Sequence, residues 1–280
     1  MTNDQRPLKI VHQKIKKMNK QPIILIVEDT EIIMYLLKSF IKKTIPGAEI
    51  IEATGAEEGV SKYKNFKPGI VLLNIQLPEK NGYYVAEEIR NYESKYDIDI
   101  KPIIAITARN TQGEKENCMD YGMNDFLAKP VEKELLAYTI NKHLPSSDSK
   151  HDKKPADKQY KPEKSESVHF DKKGFLKRLD GSMIQYQELT SMAIPHLSEY
   201  VLNLQHAINN KDFNDIEQKA HKLNGAALFM CFYQLAELAK KIEYSDKQDI
   251  ELIKSYFLEI EREFEEVKRA LSGESESVRG

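Results

Sequence analysis

The chain has 280 residues, a hydrophobic content of 40% and a formal net charge of −2. This is enough apolar material for one large domain or two ordinary ones, and the near-neutral balance excludes a global field for nucleic acid or an anionic membrane. No segment approaches the roughly 20 apolar residues of a membrane-spanning helix, and the basic start (Arg6, Lys9, Lys14, Lys16, Lys17) lacks the apolar core of a secretory signal.

Residues 1–20 read as a polar tail. From residue 21 to 144 short apolar runs alternate with amphipathic stretches. The runs are Ile23–Val27, Glu49–Ala53, Ile70–Leu73, Ile103–Thr107 and Phe126–Ala128. Between them lie helical patterns such as Ile33, Leu36, Leu37, Phe40, Ile41 and Val85, Ile89. Five strand–helix repeats predict a parallel sheet covered on both faces, with Thr30 and Thr54 placed to cap helices. Residues 145–167 hold almost no apolar side chains and are expected to be a flexible linker.

After Phe170 the strand signals stop and four or five amphipathic helices follow, in a domain expected over 168–272 with a short tail at 273–280. In the last helix Ile253, Phe257, Ile260, Phe264, Val267 and Leu271 form one stripe, as in a bundle member. Pro195 reads as a helix start or a kink. Cys118 and Cys231 form no CxxC pair and suit a reducing compartment, as buried small side chains. A soluble cytoplasmic protein is expected.

In an open doubly wound sheet, ligands bind beyond the carboxyl ends of the strands. Glu28 and Asp29 follow the first strand, Asn74 ends the third, Thr107 the fourth and Lys129-Pro130 the fifth. Adjacent carboxylates beside an amide oxygen suit a hard cation such as Mg²⁺. A lysine and a threonine hydroxyl suit a phosphoryl group beside it.

The stretches Ile-Leu-Ile-Val-Glu28-Asp29, Ile-Val-Leu-Leu-Asn74-Ile-Gln-Leu-Pro78, Ala-Ile-Thr107-Ala108 and Phe126-Leu-Ala-Lys129-Pro130 together resemble a two-component response-regulator receiver domain over about residues 21–144. The resemblance implies a flavodoxin-like doubly wound (βα)5 fold. It also implies Mg²⁺ held by Asp29, the side chain at 74 and the Gln76 carbonyl, with Glu28 helping through water. Thr107 and Lys129 would contact phosphoryl oxygens, and Phe126 would be the aromatic that rotates on activation.

Asn74 departs from the pattern, which has the phosphoacceptor aspartate there. An amide is a very poor nucleophile, so the receiver is expected to fold but to stay silent. Loss of one negative charge is also expected to weaken Mg²⁺ binding and leave Lys129 less well paired. Two origins fit: a natural pseudo-receiver, or an aspartate deliberately exchanged for asparagine.

The segment Phe213 to Met230 carries an apolar stripe of Phe213, Ile216, Ala220, Leu223, Ala227 and Met230. His221 lies about 100° round from Ala220, on a flank with Asn214, Glu217, Asn224 and Gly225, so its ring is expected to face solvent. Gly225 leaves room for another protein to approach, and Lys222 can offset phosphoryl charge. His12, His143, His151, His169, His196 and His206 read as ordinary surface histidines, with no convincing metal-ligand spacing.

Ala220-His221-Lys222-Leu223-Asn224-Gly225-Ala226-Ala227, with Phe170-Asp171 and Leu179-Asp180-Gly181 upstream, resembles a histidine-containing phosphotransfer (HPt) domain. Asn224 departs from its pattern, which usually has lysine. The resemblance implies a four-helix bundle with no ATP site of its own. His221 would carry phosphate between receiver aspartates, with Lys222 and Gly225 in support.

The expected function is thus a two-component phosphorelay. Partners would be a sensor histidine kinase and cognate receiver domains; no nucleic-acid or membrane contact is expected. Without a Gly-rich nucleotide motif the chain is not a complete kinase, although it fits the C-terminal part of a hybrid kinase as well as a free-standing protein. The alternative is an interaction scaffold in which a pseudo-receiver binds a kinase or regulator and His221 is idle.

Overall fold

The computed structural model describes residues 21–108, 111–144, 169–246 and 249–277. The expected tail 1–20, the linker 145–167, His12 and His151 lie outside the described residues, as does the end of the C-terminal tail.

Five strands form one parallel sheet in the order β2-β1-β3-β4-β5: β1 Ile23–Val27, β2 Glu49–Ala53, β3 Ile70–Asn74, β4 Ile103–Thr107 and β5 Asp125–Ala128. Helices α1 Glu31–Thr44, α2 Ala56–Phe66, α3 Gly82–Lys95, α4 Gln112–Asp120 and α5 Lys133–His143 alternate with them. Successive strand residues point to opposite faces, which divides the core in two. Ile24, Ile26, Ile70, Leu72, Ile104 and Ile106 pack with α1 and α5. Leu25, Val27, Val71, Leu73, Ile103 and Ala105 pack with α2 and α3. Both faces are covered, so these strands read as unbroken apolar runs. The register aligns Val27 with Leu73, Asn74 with Ile106 and Thr107 with Ala128. The carboxyl ends that carry Glu28, Asn74, Thr107 and Lys129 therefore share one sheet edge.

The C-terminal part is wholly helical: α6 Lys172–Arg178, α7 Met183–Asn210, α8 Phe213–Phe229, α9 Tyr233–Glu243 and α10 Ile250–Ser277. Asp171, Ser182 and Asp212 accept from the main-chain NH groups of Gly174, Gln185 and Asp215, capping α6, α7 and α8. The α10 stripe from Ile253 to Leu271 is buried as expected. Pro195 sits inside α7 rather than at its start.

The helix caps of the first domain differ from expectation. Thr30 occupies the N-cap of α1 without a side-chain capping bond, and the Glu28 carboxylate accepts from the Thr30 NH at 3.1 Å. Gly55 is the N-cap of α2, while Thr54 bonds Glu58 through its NH and its hydroxyl.

The two parts are in contact. Ile32, Ile33, Met34, Leu36, Leu37, Phe40 and Ile41 of α1 are all buried, more than one face of a helix can place against a sheet. One apolar cluster runs from the sheet through α1 into the bundle.

Candidate functional site

The receiver-like edge is a closed polar network. Glu28, Asn74, Thr107 and Lys129 are buried. Lys129 Nζ lies 3.0 Å from Glu28 Oε2, so Lys129 is well paired, contrary to expectation. The charge lost at position 74 belongs to a neighbour of this pair, and Glu28 supplies the counterion directly. Burial pushes the Glu28 carboxyl up and Lys129 pulls it down, with the net direction upward. The Thr107 hydroxyl reaches Glu114 Oε1 at 3.5 Å. Phe126 is half-buried, with Lys115 Nζ 4.4 Å from its ring centre.

Asn74 sits at the middle of this network. Its Nδ2 donates to the Gln76 main-chain oxygen at 2.7 Å, to Asp29 Oδ1 at 3.1 Å and to Glu28 Oε1 at 3.2 Å. Its Oδ1 accepts from the Gln76 NH at 3.2 Å, which fixes the orientation of the amide. Receiver domains bind Mg²⁺ at the acceptor site. Here the three groups that the resemblance assigns to the metal are satisfied by an amide nitrogen, and the fourth assigned ligand presents a donor. This arrangement does not fit a divalent cation. Among the described residues no three His, Cys, Asp or Glu side chains converge as a metal-binding set.

His221 is buried, not solvent-facing; its relative exposure is 6%. Helical periodicity places it off the bundle's own stripe, and what covers it is the other domain. Its Nδ1 lies 3.1 Å from Glu243 Oε1 on α9. Asn224, also buried, donates to Glu243 Oε2 at 3.0 Å, and the Gln76 side chain of the first domain bonds the same carboxylate. Burial alone would raise the Glu243 carboxyl, but the bonds from His221, Asn224 and Gln76 outweigh it and hold the group below the usual carboxylate range. Glu243 therefore stays ionised and keeps a proton on Nδ1 of His221. The other ring nitrogen, Nε2, has no hydrogen-bond partner among the described residues. His221 lines a cavity of about 520 Å³ walled by both domains, together with Asp29, Gln76, Tyr83, Glu217 and Lys222.

Lys222 reaches across to the first domain. Its Nζ lies 2.8 Å from the Asp29 carbonyl and 3.7 Å from the carboxylates of Asp29 and Glu31. A Cβ placed on Gly225 would sit 3.3 Å from Ile33 Cδ1. The glycine does admit an approaching protein surface, but the surface is this chain's own α1. Further pairs surround the contact. Tyr200 bonds Glu31, Tyr35 bonds Glu188 and Gln185 bonds Ser39. Lys43 Nζ lies 2.5 Å from Gln185 Oε1, and Lys133 Nζ 2.5 Å from Asp180. Of these only Lys133–Asp180 is an ion pair, worth at most about 1 kcal/mol; the others are hydrogen bonds that accompany the burial of the apolar face of α1.

Glu243, Tyr200 and Gln185 went unnoticed in the sequence because each is an ordinary helix residue until tertiary packing sets it beside another element. The apolar stretch of α1, wider than one face needs, was the available signal. Cys118 and Cys231 are buried free thiols, as expected, and burial pushes Cys118 up to about 11. His143, His169 and His196 are not bare surface histidines, since they face Asp125, Glu263 and Glu31. His206 is exposed. Among the described residues no helix is long and apolar enough to cross a membrane.

Comparison with known proteins agrees with this geometry. The response regulator receiver domain family matches residues 24–141, and the Hpt domain family matches residues 188–274. The chain is 27% identical to the aerobic respiration control sensor protein ArcB of Escherichia coli over 80% of its length and 28% of ArcB. It is 24% identical to the sensor protein GacS of Pseudomonas syringae over 82% of its length and 25% of GacS. It thus spans about a quarter of these relatives. Protein PilH of Pseudomonas aeruginosa is 31% identical over 42% of this chain and 93% of PilH. The chain belongs to the response-regulator receiver family and carries an Hpt domain C-terminal to its receiver.

Proposed function

We propose that this chain works in a two-component phosphorelay as a phosphoryl carrier, with His221 as the carrier and Asn74 making its own receiver silent. The observation that carries this reading is the state of the His221 ring. Glu243 holds Nδ1 in its protonated form, so the lone pair of the neutral imidazole resides on Nε2, which is unpartnered among the described residues. In transfer from a partner receiver, that lone pair forms the N–P bond while the P–O bond to the partner's aspartate breaks. The electron pair leaves with the carboxylate. The phosphorylated ring keeps its Nδ1 proton and a positive charge, which the Glu243 carboxylate offsets. Lys222 supplies positive charge beside the incoming phosphoryl group, and Gly225 lets the partner's backbone come close.

The partners are a sensor histidine kinase and cognate receiver domains, in the cytoplasm. The chain is a phosphotransfer module rather than a kinase, whether free-standing or part of a hybrid kinase. To test the reading, the chain and its His221→Gln variant are incubated with a phosphorylated receiver domain. Acid-labile label on the chain and none on the variant is the expected result. Equal label on both, or none with several donors, removes the carrier role. The coverage of His221 favours a second reading, a scaffold that binds without transfer, and that same null result would select it.

A further inference from the structure

We propose that the receiver of this chain is an internal competitor for the docking face around His221. Receivers of other proteins would then reach the histidine only after this one has moved off. This inference rests on the carrier role of His221.

Residues of the chain's own receiver meet the face around His221 at several points. Ile33 fills the space that Gly225 leaves open. Lys222 is held by the Asp29 carbonyl, Gln76 bonds the carboxylate that orients the ring, and the ring itself is 6% exposed. An incoming receiver must use the same glycine gap and the same lysine, so the two occupants exclude each other. A covalently attached domain has the advantage of a high effective concentration over a separate protein. The occupant is also chemically inert. An aspartate at position 74 would carry a nucleophilic carboxylate, whereas the Asn74 amide cannot accept a phosphoryl group. Its nitrogen satisfies Glu28, Asp29 and Gln76 together, so the pocket has its acceptors met without a reaction partner. Besides the apolar face of α1, the receiver is held on the bundle by pairs such as Lys133 with Asp180 and Lys43 with Gln185.

The test uses the full chain with Ser39→Cys and Gln185→Cys, at two positions whose side chains bond across the contact, compared in reduced and linked forms. Linking uses oxidation or a short bis-thiol reagent. Two rates are read: labelling of His221 by a phosphorylated receiver domain, and carbethoxylation of His221 by diethyl pyrocarbonate, with exposed His206 as internal reference. We expect both rates at His221 to fall at least tenfold on linking and to return on release, with His206 unchanged. Equal phosphoryl labelling in the two forms overturns the proposal. So does failure of the pair to link at all, because the covered state is then not populated. Protection from carbethoxylation on linking, with no phosphoryl label in either form from several donors, overturns the carrier role and with it the competition.

Discussion

The side-chain nitrogen of Asn74 donates to the main-chain oxygen of Gln76 at 2.7 Å. A single amide thereby joins groups that the receiver pattern gives to a cation. Asn74→Asp replaces that donor by a third carboxylate beside Glu28 and Asp29 and leaves buried acceptors facing one another. The variant should be less stable than the parent by about 1–3 kcal/mol in metal-free buffer. Millimolar Mg²⁺ should then raise its melting temperature by several degrees and leave the parent unmoved. It should also take label from a small phosphodonor. Thermal melts with and without Mg²⁺ decide this; an equal Mg²⁺ response in both chains would refute the role given to the amide.

Glu243 bonds Nδ1 of His221 at 3.1 Å and is held ionised in a buried site. Glu243→Gln keeps the shape but removes the charge that offsets a phosphorylated imidazolium. His221 labelling should slow by roughly tenfold, about 1.4 kcal/mol in the barrier, and the labelled form should lose phosphate sooner. Initial rates and label lifetimes measure both. An unchanged lifetime would mean that the carboxylate only holds the helices together.

The pH dependence of stability follows from the same carboxylate. The Glu243 carboxyl is held below its usual value, so the folded state binds its proton less readily than the unfolded chain does. Its contribution is therefore fully present above the unfolded value of about 4.3. It is lost as pH falls through the lower folded value. The stability difference between the parent and Glu243→Gln should shrink as pH falls below about 4. A difference that grew on acidification would contradict the assigned direction.

Gly225 is tolerated within α8 because α1 lies against it. Gly225→Leu removes a helix-interior glycine, worth up to about 1 kcal/mol to the helix itself, yet drives a side chain into Ile33. The bundle should stay folded while amides of α1 and of the facing turns of α7 exchange faster. Hydrogen exchange resolved by peptide separates the two effects, and unchanged protection of α1 would show that the interface tolerates the extra volume.

Arg178 Nη1 donates to the carbonyls of Leu228 and Phe229 at 3.0 and 2.6 Å, at the C-terminal end of α8. A buried cation there satisfies acceptors that the helix cannot. Arg178→Ala should cost about 2–3 kcal/mol in urea denaturation, with His221 labelling retained in the surviving folded fraction. A loss under half a kcal/mol would mean that water replaces the guanidinium.

Much of both folds was legible because it is local. The strand runs at Ile23–Val27, Glu49–Ala53 and Ile103–Thr107 match the observed strands residue for residue. Ile23–Val27 and Ile103–Thr107 are central strands that leave an almost unbroken apolar signature, while the edge strand Glu49–Ala53 is marked by its shorter run Ile50-Ile51. The stripes of α8 and α10 survive because they too are local. Cap chemistry was less legible: Thr30 has the right residue type and stands at the N-cap, yet its side chain makes no capping bond.

The sequence by itself determined which residues could do chemistry: the carboxylates, amide, threonine and lysine at the strand ends, and a histidine next to a lysine and near a glycine on a bundle helix. Only the tertiary structure decided the condition of that histidine. Periodicity reports which side of a helix faces away from its own bundle. It does not report what else comes to rest there, because contacts between distant segments depend on the shape and apolarity of two surfaces together. The burial of His221, its Nδ1 bond to Glu243 and the amide of Asn74 set among three acceptors all arise at that level.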